Sequence, residues 1–159
     1  TGIRAFAGCQ SLQSLAFPSS ITEIGKSSFE NCRQLKTVTF SPRNNLKTVG
    51  DWTFFNCVSL EKIQLPWGTK EIGEGVFNGC TALKSVILPS SLTQIGANAF
   101  ATCVSLRSIT SEATKPPVVK ETTFAGVDQN TIIFVPAKSI NLYQTAPGWK
   151  DFKNIRAEE

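Results

Sequence analysis

The segment Gly73 to Ile95, GEGVFNGCTALKSVILPSSLTQI, is the most regular copy of a unit that recurs along almost the whole chain. The copies align on a phenylalanine that returns at steps of 23, 25, 23, 23 and 24 residues. These positions are Phe6, Phe29, Phe54, Phe77, Phe100 and, less regularly, Phe124. A fixed period of this length predicts a solenoid, in which each repeat forms one coil and buries its apolar side chains by stacking on its neighbours.

The residues around each phenylalanine predict the path of one coil. In the copy at Gly73, Val86 and Leu88 are the inward residues of a short strand and Ile87 points outward. Pro89 ends this strand because proline cannot donate a ladder hydrogen bond. A glycine opens each of five copies, and at Gly96 we expect a turn in which positive φ costs little. Successive strands would lie roughly 4.8 Å apart.

The repeat resembles the BspA-like subfamily of the leucine-rich-repeat proteins, whose unit reads I-G-x-x-A-F-x-x-C-x-x-L-x-x-I-x-L-P-x-x-L. Besides the copy at Gly73, the residues that carry the resemblance are Ile95, Gly96, Ala99, Phe100, Cys103, Leu106 and Ile109. It implies an α/β-type leucine-rich-repeat solenoid, mainly short parallel β-strands with turns, and a small helical C-terminal cap. We expect five repeats of about 23 residues in 1–110, and a degenerate repeat with the cap in 111–159.

The two ends of the chain are predicted to differ. Residues 131–136 are expected to form the last strand and residues 137–145 a short helix, with Ile140 and Tyr143 on one side and Trp149 packed over the final coil. The first coil has no polar cap, so we expect its edge to be covered by preceding sequence or to mediate self-association. The chain lacks Met and opens partway through a repeat, which indicates a fragment or a processed form.

The five cysteines hold one inward position in successive coils. They follow the phenylalanine by three residues, at Cys9, Cys32, Cys57, Cys80 and Cys103. Neighbouring cysteines would have Cα atoms about 5 Å apart, which is within disulfide reach. We nevertheless expect buried free thiols, because the odd number leaves one unpaired and a stack of small apolar side chains suits the core.

The composition argues against catalysis. Histidine is absent, which removes the commonest general base and the commonest metal ligand. No Gly-x-Ser-x-Gly elbow, phosphate-binding loop, calcium loop or Cys-x-x-Cys pair occurs. We therefore expect no enzyme activity, no catalytic residue, no metal and no cofactor.

Charge and hydropathy argue against a nucleic-acid partner and against a membrane span. The net charge of +4 is spread along the chain, and the absence of a run of lysine or arginine argues against nucleic acid as a partner. No stretch has the length and apolarity of a membrane span.

Two sets of residues are candidate binding sites. The outward positions of the predicted sheet form polar columns with more positive than negative charge, and the basic candidates are Lys36, Lys62, Lys84 and Arg107. A solvated strand face would show the same composition. The second set is Trp52, Phe55 and Trp67 in the third coil, where the first two occupy positions expected to be exposed on the convex side. The alternative is that these rings fold over a neighbouring coil.

The resemblance also implies a role and a location. BspA-like proteins are typically surface or secreted proteins of host-associated bacteria and some protozoan parasites, and they are associated with adhesion. We therefore expect a non-enzymatic adhesion or protein-interaction module, extracellular or attached at the outer membrane, that binds a protein or glycan on a host or bacterial surface. The alternative is a rigid spacer that presents another domain of a larger surface protein. A carbohydrate-binding function resting on Trp52, Phe55 and Trp67 is a third hypothesis.

Overall fold

The computed structural model describes residues 1–159 as a stack of coils. The strands are β1 (Ser14–Phe17), β2 (Glu23–Ile24), β3 (Thr37–Phe40), β4 (Thr48–Val49), β5 (Lys62–Gln64), β6 (Glu71–Ile72), β7 (Ser85–Leu88), β8 (Gln94–Ile95), β9 (Ser108–Ser111), β10 (Ile132–Val135) and β11 (Asn154–Ala157). One α-helix, α1 (Ile140–Thr145), is flanked by short 3-10 turns at Ala137–Ser139 and Trp149–Asp151. None of these helices has the length and apolar character needed to cross a membrane.

All strand pairings are parallel, and those between strands of the repeats join equivalent repeat positions. The longer strands form a main sheet in the order β1, β3, then β5, β7, β9, β10 and β11, with a break between β3 and β5. The two-residue strands β2, β4, β6 and β8 form a second sheet. Val86, for example, lies between its repeat equivalents Ile63 and Ile109. The solenoid predicted from the sequence is therefore confirmed.

Each coil is named here by its main strand, so that coils one to six carry β1, β3, β5, β7, β9 and β10. Two turns complete a coil. The phenylalanine turn, residues 50–57 in coil three, carries the recurring phenylalanine and cysteine and leads into the main strand. The proline turn, residues 65–70 in coil three, leads from the main strand to the second sheet.

A column of phenylalanine rings forms the centre of the core. Rings from successive coils stack with centroids 5.3–5.8 Å apart, from Phe6 through to Phe124. Trp149 and Phe152 end the column with edge-on contacts to Phe124, each at 5.1 Å between centroids. Phe6 stacks on one side only, on Phe29, and its ring is 46% exposed. The column therefore couples the coils and is closed at its C-terminal end by the cap.

The cysteines form a second column, and all five are free thiols, as predicted. Each thiol from coil two onward donates to the phenylalanine carbonyl of the preceding coil, at 3.1–3.3 Å between sulfur and oxygen. Burial raises the pKa of Cys57 and Cys103 to about 12 and that of Cys80 well above its ordinary value. These thiols are protonated donors in the core rather than reactive groups.

The glycine that opens each coil has a different role from the one expected. Gly96 does not have positive φ, so that prediction is wrong. A Cβ atom at Gly96 would lie 2.5 Å from the carbonyl carbon of Gly73, because successive backbones approach closely at this position. Positive φ occurs instead two residues before and two residues after the recurring phenylalanine. These residues are Arg4, Ser27, Trp52, Gly75 and Asn98 before it, and Gly8, Asn31, Asn56, Gly79, Thr102 and Gly126 after it.

The C-terminal segment adds one more strand than predicted. The expected helix is present as α1, and Tyr143 on its buried side donates from its hydroxyl to the carbonyl of Ala113 at 2.8 Å. Trp149 is fully buried, as expected, and donates to the carbonyl of Pro117 at 2.9 Å. β10 is not the last strand, however, because β11 pairs with it in parallel at the edge of the main sheet. The cap thus lengthens the sheet as well as covering the core.

Candidate functional site

The outward side chains of the main-sheet strands form the surface that we call the sheet face. The strand register aligns these side chains in columns, as the repeat predicts. One column contains Lys62, Ser85, Ser108, Ile132 and Asn154. The next contains Gln64, Ile87, Thr110, Phe134 and Arg156. Seven strands at the normal spacing give this face a length of roughly 29 Å, because six intervals of about 4.8 Å separate them.

The four predicted basic residues all lie exposed at the sheet face or at its entry, but they are not equivalent. Lys84 Nζ lies 3.0 Å from Glu61 Oε2, so its charge is offset by a carboxylate one coil away. Lys36, Lys62 and Arg107 form no ion pair. Since the Lys84 pair is itself exposed, its contribution to stability is small, and Lys84 can exchange Glu61 for another anion.

The C-terminal segment adds residues to the sheet face that the sequence reasoning missed. Ile132 and Phe134 on β10 point outward and are half-buried, and Arg156 on β11 is exposed beside Phe134. With Ile87 they give the C-terminal half of the face an apolar component bordered by positive charge. Alternation in the segment TIIFV was a usable signal, since it predicts that Ile132 and Phe134 share one side of a strand.

Two of the three predicted exposed aromatic residues are not exposed. The rings of Trp52 and Phe55 are half-buried and pack edge to face, with centroids 5.4 Å apart. The Trp52 ring also lies over Gly75 of the next coil, where a Cβ atom would come within 2.2 Å of it. The alternative that these rings fold over a neighbouring coil is therefore the one observed, because Gly75 leaves the space that the indole fills.

Trp67 lies apart from this pair and is 75% exposed. It belongs to the proline turn of coil three, whereas Trp52 and Phe55 belong to the phenylalanine turn at the other end of β5. The structure therefore does not bring the three aromatic residues together in one site.

The ionisable groups with shifted pKa values lie in the core and not at the sheet face. They are the buried cysteines and Tyr143, whose pKa is raised to about 12 by burial despite the hydrogen bond from Ser111. No three Asp, Glu, Cys or His side chains are grouped closely enough to hold a metal ion. The chemistry that the sheet face offers is charge, hydrogen bonding and apolar contact.

Comparison with known proteins identifies the repeat. A model of the BspA type leucine rich repeat region matches residues 2–131 in six copies. A leucine rich repeat protein of T. pallidum has a similar fold, with 35% identity and a TM-score of 0.66 over 69% of this chain and 50% of its own. Among curated proteins, none matches the chain significantly by sequence.

Two further solved structures are similar over more of this chain. A leucine rich cell surface protein of Faecalibacterium prausnitzii A2-165 has 31% identity and a TM-score of 0.71, over 87% of this chain and 37% of its own. A leucine-rich repeat protein of Bacteroides ovatus ATCC 8483 has 25% identity and a TM-score of 0.64, over 96% of this chain and 32% of its own. This chain thus spans half of the T. pallidum protein and about a third of the other two. Because the family match covers residues 2–131, the chain belongs to the BspA-type leucine-rich-repeat family.

Proposed function

We propose that this chain is a non-enzymatic interaction module at the cell surface that binds a protein partner through the sheet face. The observation that carries the proposal is that a half-buried apolar group on the sheet face is accompanied by three unpaired basic residues on that face or at its entry. The basic residues are Lys36, Lys62 and Arg107, and the apolar residues are Ile87, Ile132 and Phe134. A face made only for contact with water would need no outward isoleucine or phenylalanine.

This composition favours an acidic protein partner. Arginine and aromatic residues are enriched in protein interfaces, where an apolar centre supplies affinity and a charged rim supplies orientation and a faster association rate. Extended solenoid sheets commonly bind proteins along their length. The unpaired cations extend from coil two to coil five, so the partner would present several carboxylates over a similar distance.

The location at the cell surface is supported by family membership and by one relative. The F. prausnitzii protein is described as a cell surface protein, and the resemblance to BspA-like proteins implies the same compartment. An adhesion role is part of this proposal, with the partner on a host or bacterial surface.

The proposal can be tested by surface plasmon resonance of the purified chain over immobilised collagen, laminin and fibronectin across a salt series. We expect saturable binding to at least one, weakened at least about tenfold by K36A/K62A/R107A at low salt and less at high salt. The matched control is K26A/K138A/K150A. It also removes three exposed positive charges, but from positions away from the sheet face, and it should change the affinity less than about twofold.

A second variant separates the apolar contribution from the charge. Phe134→Ala leaves the net charge unchanged and should weaken binding at every salt concentration, because apolar contact is not screened. Equal losses in the two triple variants would mean non-specific attraction to total charge. An absence of binding to all three proteins would instead favour the rigid spacer.

A further inference from the structure

The main sheet is interrupted between coils two and three, although the coils remain joined elsewhere. No ladder of backbone hydrogen bonds connects β3 to β5, whereas every other pair of successive main strands is connected. On the opposite side, β4 and β6 pair normally, with Thr48 opposite Glu71. The phenylalanine turns are also bonded, for example from Phe29 N to Thr53 O at 3.0 Å. The two coils are therefore attached along one side and open at the main sheet.

The proline turn of coil two, which is longer by two residues, accounts for this opening. It contains Asn44, whose buried side chain donates to the carbonyl of Pro18 in coil one at 2.9 Å. Phe40 likewise stacks on Phe17 of coil one, with ring centroids 5.2 Å apart. The turn of coil three is bonded the other way, since Gly68 N donates to Ser91 Oγ of coil four at 3.0 Å. The two turns meet only where they end, where Lys70 N donates to the carbonyl of Lys47 at 2.8 Å, while these other bonds run to the coil farther from the opening.

A groove of about 420 Å³ lies at this opening. The residues that line it and matter here are Thr39, Phe40 and Pro42 on one side, Gln64 and Trp67 on the other, and Glu112 beyond them. Trp67 is the most exposed large apolar side chain in the protein. The Glu112 carboxylate is half-buried and forms no ion pair. The groove therefore combines a broad exposed ring with polar groups that have hydrogen-bonding capacity left.

We propose that this groove is a carbohydrate-binding site. A sugar ring has an apolar face of C–H groups that can lie on an indole, and an edge of hydroxyl groups that both donate and accept hydrogen bonds. Trp67 would supply the stacking surface, while Glu112 and Gln64 would bond the hydroxyls.

A peptide strand inserted into the sheet fits the opening less well. Cα atoms of β3 and β5 still approach within 8 Å, whereas an inserted strand would hold its two neighbours about 9.6 Å apart, twice the strand spacing. The groove shares Gln64 with the sheet face, but its lining contains none of the residues proposed to carry protein binding, which are Lys36, Lys62, Arg107, Ile87, Ile132 and Phe134. The two proposals can therefore succeed or fail separately.

The test is calorimetric titration of the full chain with chitohexaose, cellohexaose and maltohexaose. We expect saturable binding of at least one oligosaccharide. Its affinity should fall at least about tenfold in Trp67→Ala and by a smaller factor in Glu112→Gln. The matched control is Trp52→Phe, which alters a tryptophan of the same coil outside the groove and should leave affinity within about twofold. In the Trp52→Phe variant, binding should also protect Trp67 from iodide quenching of its fluorescence, because the one other tryptophan, Trp149, is fully buried.

Three results would overturn the inference. The first is that none of the oligosaccharides binds. The second is that Trp67→Ala leaves the affinity for the oligosaccharides unchanged. The third is that a proline-rich peptide binds in a Trp67-dependent manner while the oligosaccharides do not. Trp67→Ala is expected to fold normally because the side chain is exposed, and its circular dichroism spectrum should match that of the parent chain. Retention of oligosaccharide binding by K36A/K62A/R107A would show that this site does not depend on the basic residues proposed to bind the protein partner.

Discussion

At the scale of single residues, two backbone requirements shape coils two to five. One is the pair of positive-φ positions around the recurring phenylalanine, where glycine and asparagine are favourable and bulky residues are not. Trp52 occupies such a position with φ of 58°, and its ring lies on Gly75, the equivalent position one coil later. The indole contact compensates for an unfavourable backbone conformation, which makes the two positions interdependent.

The other requirement, the close approach of backbones at the opening glycine, gives the residue-scale prediction. Gly73→Ala should lower the free energy of unfolding by about 1–3 kcal/mol, since the new Cβ would lie 2.7 Å from the backbone nitrogen of Asp51. Gly2→Ala is the matched control, because it changes the same repeat position where no atom lies within 4 Å. Chemical denaturation measures both. Equal losses in the free energy of unfolding for Gly73→Ala and Gly2→Ala would mean that glycine is needed for a reason other than the close approach of successive backbones.

At the scale of elements, the cysteine column depends on protonated thiols. Each buried thiol donates to a carbonyl, and the pKa of Cys57 and Cys103 is raised to about 12 by burial, so the folded chain holds these protons more tightly than the unfolded chain. The resulting stability is complete below about pH 9 and is lost as pH rises toward about 12, because unfolding then releases the protons.

The prediction is that the free energy of unfolding falls between about pH 9 and about pH 11, on the order of 1–2 kcal/mol per buried thiol. Cys103→Ala should reduce the slope, even though it lowers stability at every pH. In native protein near neutral pH, thiol labelling should modify the half-buried Cys9 first and the four buried cysteines slowly. Rapid labelling of Cys80 would contradict the buried column.

At the scale of the whole molecule, the break between β3 and β5 divides the stack. In a solenoid each coil is stabilised mainly by its neighbours, so a missing ladder lowers the coupling between coils one and two and the rest. The C-terminal coils are instead joined by continuous pairing and closed by Trp149 and Tyr143. The N-terminal pair should therefore open without global unfolding.

Native-state hydrogen exchange measures this difference. Amides of β1 and β3 should exchange at a lower free energy of opening than those of β7 and β9. Asn44→Ala should reduce protection in coils one and two by about 1 kcal/mol, because it removes the bond to Pro18, and should leave coil four unchanged. Uniform exchange energies along the stack would mean that the phenylalanine column alone couples the coils.

The solenoid, the stacked phenylalanines and the free cysteines follow from the amino-acid sequence alone, because each depends on spacing that repeats from coil to coil. The sequence also located the columns of the sheet face, since strand register follows directly from the period. The alternation in TIIFV could have added Phe134 to that face, but the pairing of β11 at its edge could not be predicted from a segment outside the repeat.

The remaining features required the three-dimensional structure, because they depend on contacts between coils of unequal sequence. The space left by Gly75 buries Trp52, the carboxylate of Glu61 pairs with Lys84, and the turn containing Asn44 binds coil one rather than coil three. Repeat periodicity carries no information about such differences, because it describes what the coils share. The physical origin of both proposed binding sites lies in the positions where neighbouring coils differ.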